Sequence, residues 1–215
     1  MRKPSSLKRA PASREAKARF LIFTEGKNTE PAYLNGVKRK FGGALVDVQI
    51  VGGAGTPFTL SEKAEEALKA ARKIKGKSSF EERDQFWIVF DRDEHPKLAE
   101  TFEKCKANKI NTAFSNPCFE LWLILHFADF DKACDRHHVQ SHLCSIYPKY
   151  KKSGGKLVEF VDLENYIELA EARAKAQEKR REDEGSASNP PFTSVYRLIS
   201  AIRLASDQNT TKDDQ

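Results

Sequence analysis

Apolar positions along this chain fall into short continuous runs and longer stretches spaced by three and four residues, and the two patterns take turns. Phe20-Leu21-Ile22-Phe23 is a continuous run that stops at Thr24-Glu25-Gly26, as in a strand buried on both faces. From Thr29 to about Lys40, Tyr33, Leu34 and Val37 share one helical face, Pro31 suits a first turn, and Phe41-Gly42-Gly43 ends the element. Leu45–Val51 alternates apolar and polar positions, predicting a second strand with one polar face, and Gly52-Gly53-Ala54-Gly55 stops it. Helical spacing returns from Pro57 to about Lys75, with Thr56 or Thr59 as cap. Gln85–Phe90 is a third strand that runs into Asp91-Arg92-Asp93-Glu94, a helix follows over about Pro96–Asn108, and Ile110–Ser115 is a fourth strand.

This alternation predicts a doubly wound α/β unit over residues 19–127 with a mainly parallel four-stranded sheet. Its last element is the strongly apolar stretch Ser115–Phe127, read as a buried helix capped by Asn116 with Pro117 in first position. Beyond it the chain is more polar. Residues 128–205 are expected to form a mostly helical extension, with helices near Val139–Ile146, Asp162–Glu184 and Ser194–Ala205, the last two separated by Asn189-Pro190-Pro191. Residues 1–18 read as a basic tail and 206–215 as a polar one, and no internal repeat is present.

With 215 residues, 39% hydrophobic and 32% charged, the chain falls in the globular class. The excess of 37 Lys+Arg over 31 Asp+Glu gives +6, which suits a polyanionic partner without requiring one. Much of that excess lies in the first 19 residues. The first apolar run is too short and too late for a secretory signal, and no stretch approaches a membrane span. A cytoplasmic protein is expected, its four cysteines reduced.

Candidate chemistry sits at the strand ends. In an open α/β sheet the ligand site lies beyond the carboxyl ends of the strands, where neighbouring connections diverge. Glu25 ends the first strand, and Asp91 and Asp93 end the third. If those strands are neighbours, the three carboxylates share one crevice and call for a cation or raised pKa values. Mg²⁺ takes oxygen ligands and keeps waters, so two or three carboxylates plus a substrate phosphate complete its shell, and Mn²⁺ can substitute. Taken alone, Asp-Arg-Asp-Glu is more often a solvated turn that caps the next helix. The pairing with Glu25-Gly26 after another buried strand shifts the balance toward a metal site.

Four blocks also carry a resemblance: Thr24–Tyr33, Val89–Glu94, Ser115–Phe127, and Asn189-Pro190 with Thr193-Ser194-Val195. Together they resemble the RloB-like family over about residues 19–205. The resemblance implies a Toprim-like fold, shared with topoisomerases, bacterial primases and OLD-type nucleases, in which a Glu after the first strand and an Asp-x-Asp after the third hold catalytic Mg²⁺. By that similarity Glu25, Asp91 and Asp93 are metal ligands and catalytic residues. Glu120 joins them, because it lies in the family's fourth-strand-to-helix block and because a lone charge in an apolar helix is costly. The implied activity is metal-dependent cleavage of RNA, tRNA included, or of DNA, in a bacterial anti-phage defence system with an ABC/AAA-type ATPase as partner. Two alternatives stay open: a nucleic-acid-binding regulatory subunit with a non-catalytic metal site, and nucleotidyl transfer. An oligomer is compatible with the sequence.

Lys27 is read either as a phosphate contact or as a solvated side chain. Lys149, Lys151, Lys152 and Lys156, interleaved with Tyr147 and Tyr150, form a nucleic-acid contact candidate, the bland reading being a solvated loop. The Gly52–Thr56 loop offers either amides to an anion or a flexible connection. Cys134, His137, His138, His142 and Cys144 do not match a paired zinc-ligand spacing and are read chiefly as a helix with surface histidines. Lys175, Lys179, Arg180 and Arg181 alternate with glutamates as on an exposed ion-paired helix, and Trp87 and Trp122 are taken as core.

Overall fold

The computed structural model describes residues 18–43, 46–74, 84–92, 95, 97–150, 158–186 and 188–210. Strand β1 (Ala18–Thr24) leads to helix α1 (Thr29–Phe41), β2 (Val46–Val51), α2 (Pro57–Ile74), β3 (Gln85–Asp91), α3 (Leu98–Asn108) and β4 (Asn111–Asn116). Then come α4 (Glu120–Phe127), α5 (Arg136–Ile146), two short 3₁₀ turns, α6 (Ile167–Asp183), β5 (Phe192–Thr193) and α7 (Val195–Thr210). The sheet order is β2-β1-β3-β4-β5, parallel except for β5.

Successive residues of a strand point to opposite faces, so the continuous apolar runs of β1 and β3 feed two cores. Phe20, Ile22, Trp87 and Val89 enter the larger one with Tyr33, Leu34 and Val37 of α1 and the buried faces of α4, α5, α6 and α7. Phe23, Phe86, Ile88 and Phe90 enter the smaller one with Leu60 and Ala64 of α2 and Cys105 of α3. Helices therefore cover both faces. Trp87 and Trp122 are both core residues.

Several elements differ from the sequence expectation. The sheet has five strands. β5 pairs antiparallel with the end of β4, and Ser194 doubles the seam: its backbone N–H donates to Phe114 O at 2.8 Å and its Oγ accepts from Phe114 N at 2.9 Å. The segment after residue 128 thus completes the sheet as well as packing on it. Asn116 does not cap α4. Its backbone pairs with Phe192, its side chain donates to Ser188 O at 2.8 Å, and α4 begins only at Glu120. Helix α5 begins before Val139, because Asp135 caps it by accepting from His137 N at 2.8 Å and His138 N at 3.0 Å.

Helix α6 is less exposed than its charge pattern suggests. Ala170, Ala174 and Gln177 are buried, and the helix's charges pair across to other elements: Glu171 with Arg203 at 2.8 Å, Arg180 with Asp131 at 2.9 Å, and Glu178 with Arg197. β1 starts at Ala18 and α7 runs to Thr210, so both ends of the globular unit reach further than the expected tails. The rest of those tails, residues 1–17 and 211–215, lies outside the described residues. The four cysteines are free thiols, and among the described residues no helix is long and apolar enough to cross a membrane.

Candidate functional site

β1 and β3 are neighbours, paired from Phe20↔Gln85 to Thr24↔Val89. The chain leaves β1 through α1 to β2 on one side, then returns through α2 to β3 on the other. The crevice between β1 and β3 is therefore the point where the connections diverge. Glu25 sits at its lip, held by its N–H donating to Val89 O at 3.0 Å, and Asp91 is the last residue of β3.

A cavity of about 270 Å³ opens there, lined by Glu25, Gly26, Lys27, Asn28, Thr29, Glu30, Asp91, Phe119, Glu120 and Arg136. Three of its four carboxylates are buried, Glu30 at 7% exposure, Asp91 at 9% and Glu120 at 3%. Burial pushes the Asp91 carboxyl well above the usual range, and the negative charges of Glu30, Glu120 and Glu25 push the same way against the guanidinium of Arg136. The Glu30 carboxyl is likewise raised by burial, and hydrogen bonds from its own and Gly26's backbone N–H only partly offset this.

Each carboxylate has a distinct support. Glu25 Oε1 lies 3.0 Å from His95 Nε2. Asp91 Oδ2 faces Arg136 Nη2 at 3.6 Å. Glu120 Oε1 accepts from Gln140 Nε2 at 3.0 Å and from the Tyr150 hydroxyl. Glu30 folds back over Gly26 so closely that a Cβ there would lie 2.0 Å from Glu30 Oε2, so a side chain at this position would displace the Glu30 carboxylate. The Gly52–Thr56 loop braces the same turn. Gly53 N donates to Gly26 O at 2.9 Å and Ala54 N to Thr24 O at 3.0 Å, so these two amides hold the fold and are not offered to an anion.

Glu25, Asp91, Glu120 and Lys27 thus come together, Lys27 as an exposed side chain at the rim. Asp93 lies outside the described residues, as do Lys151, Lys152 and Lys156. Lys149 is elsewhere: it pairs with Asp162 Oδ2 at 2.8 Å. Tyr147 and Tyr150 are buried, Tyr147 donating to Asp162 Oδ2 at 2.8 Å and Tyr150 to Glu120, so neither ring is free to stack on a base. The histidines near residue 140 have local duties: His138 Nδ1 is 2.9 Å from its own helix cap Asp135, and the His142 ring packs on Phe130.

Sequence reasoning passed over Glu30, His95, Arg136 and Gln140. Glu30 had a signal in the Glu25-Gly26-Lys27-Asn28-Thr29-Glu30 run, where the first turn of α1 returns a second carboxylate to the strand end. The others reach the site only through tertiary packing.

The carboxylate oxygens of Glu25, Glu30, Asp91 and Glu120 in this cavity are the donor type that a hard divalent cation such as Mg²⁺ takes. Among the described residues no three His, Cys, Asp or Glu side chains are gathered into a ready-made ligand cluster.

No curated protein and no solved structure matches this chain. The family model for RloB-like proteins matches residues 20–202, most of its length, and with that match the chain belongs to the RloB-like family.

Proposed function

We propose that the protein is a Mg²⁺-dependent endonuclease of the Toprim type, which hydrolyses RNA or DNA phosphodiesters as the effector of an anti-phage defence system with an ABC/AAA-type ATPase partner. The observation that carries the reading is the convergence of Glu25 and Asp91 at the carboxyl ends of two adjacent parallel strands, with Glu30 and Glu120 in the same cavity. The defence setting and the ATPase partner are what resemblance to the RloB-like family implies.

Glu25 and Asp91, with Asp93, would hold the metal. A metal held by these residues would supply Lewis-acid charge stabilisation to the phosphoryl group. A water oxygen would form the new bond to phosphorus as its proton passes to a site carboxylate, and the bond to the leaving oxygen would break, that oxygen taking a proton from solvent water and departing as a hydroxyl. Glu30, which lines the same cavity and is not among the proposed metal ligands, is placed to receive the water proton. Glu120, fixed by Gln140 and Tyr150, positions the wall facing them.

Glu25→Gln and Asp91→Asn each lower Mg²⁺-dependent cleavage of a nucleic-acid substrate at least about 100-fold while leaving the circular dichroism spectrum unchanged. Cleavage that survives both substitutions would sink the nuclease reading. Metal and nucleic-acid binding without turnover in the wild type would favour a regulatory subunit instead.

A further inference from the structure

We infer that Arg136 is the phosphate-binding cation of this site: its guanidinium meets the non-bridging oxygens of the scissile phosphodiester. The inference rests on the nuclease reading for its substrate, but the geometry behind it is independent of that reading.

A phosphodiester entering the cavity meets four carboxylates. Lys27 and Arg136 are the cations that line it among the described residues. Lys27 is exposed at the rim, on the loop that carries Glu25. Arg136 comes from the opposite wall. Its side chain is 35% exposed and its Nη2 stands 3.6 Å from Asp91 Oδ2, longer than a hydrogen bond and short enough for charge attraction.

The placement of Arg136 is built into a rigid element. It is the first residue of α5, and Asp135 fixes that turn through the backbone N–H groups of His137 and His138. Val139 and Leu143 anchor the helix in the larger core. One turn on from Arg136, Gln140 is 3% exposed and donates to Glu120 at 3.0 Å. Residues four apart share a helix face, so Arg136 and Gln140 address the same crevice, one reaching Asp91 and the other Glu120. A helix whose purpose was to cover the core would not need to direct two polar side chains at two buried carboxylates.

Guanidinium suits the task. Its planar fork of donors matches the paired oxygens of a phosphate and stays charged at any working pH. A phosphate oxygen entering the cavity would meet this fork beside Asp91, where the 3.6 Å separation leaves room short of a hydrogen bond.

The test uses the full chain and three variants, Arg136→Ala, Arg136→Lys and, as control, Asp91→Asn. Mn²⁺ binding is followed by calorimetry, inorganic phosphate binding is measured in the presence of Mg²⁺, and kcat and KM are measured on a nucleic-acid substrate. Arg136→Ala is expected to bind Mn²⁺ at least as tightly as the wild type, and to lose phosphate affinity and kcat/KM by roughly 10- to 100-fold. Arg136→Lys recovers part of both and controls for misfolding. Phosphate affinity unchanged in Arg136→Ala would overturn the assignment and leave Arg136 as the counter-ion of Asp91. Loss of Mn²⁺ binding in Arg136→Ala would also overturn it, because Arg136 would then be holding the metal ligands in place. If the wild type cleaves no nucleic acid, the nuclease reading fails while the phosphate titration still decides the role of Arg136.

Discussion

His126 is fully buried on α4, between Tyr33 and Trp122. Its Nδ1 stands 2.9 Å from Trp122 O and its Nε2 3.1 Å from the Tyr33 hydroxyl, so a neutral ring that donates at Nδ1 and accepts at Nε2 satisfies both contacts. Burial lowers its pKa from 6.5 to about 4. The unfolded chain therefore takes up a proton at His126 that the folded one refuses. The stability this group contributes is intact above pH 6.5 and drains away as pH falls toward about 4, by roughly 3 kcal/mol in all. Urea unfolding across that window should show the loss in the wild type and a flatter profile in His126→Gln. An equal slope in both would show that acid sensitivity arises elsewhere. At this scale Glu25 and Asp91 were legible because a strand end announces itself in one dimension. Arg136 and Gln140 were not, because nothing local marks a helix that reaches the site only through packing of the larger core.

Elements carry the next level of information. The first four strands and the first three helices were legible from pattern alone, since the strands show short apolar or alternating runs and the helices repeat at three to four residues. Misreadings occurred where tertiary contacts outbid local chemistry. Asn116 looks like a cap and is used instead as a strand end; α6 looks like an exposed charged rod and is instead strapped down by ion pairs to α7 and to Asp131. The glycine loop after β2 shows what such an element can do for a site. Gly53 has φ +61°, and a Cβ there would lie 2.5 Å from Lys27 Cγ. Gly53→Ala should cost about 1–2 kcal/mol in urea unfolding for the left-handed backbone. It should also weaken Mn²⁺ binding, because the displaced loop no longer braces the turn that holds Glu25. Stability lost with metal affinity intact would show that this bracing is unimportant to the site.

For the molecule as a whole, the expected division into a core and a packed extension understates how the two depend on each other. Val195, Leu198, Ile199 and Ile202 of α7 are all fully buried in the larger core. At about 1.5–3 kcal/mol each, their removal amounts to roughly the entire net stability of a typical domain. A chain ended at residue 186 should therefore lack a cooperative thermal transition. A sharp transition in that truncation would establish residues 18–186 as an independent unit. β5 was hard to read because two residues show no period, and only the resemblance of Thr193-Ser194-Val195 to a known block marked the segment at all.

The seam that β5 and Ser194 make with β4 also sets an order in time. A ribosome delivers Glu25, Glu30, Asp91 and Glu120 first, then Arg136 and Gln140, and only afterwards the residues that shut the larger core. The walls of the acidic cavity are therefore translated before the strand and helix that close the sheet and the larger core. Under the proposed nuclease activity, that late closure would keep synthesis and activity apart.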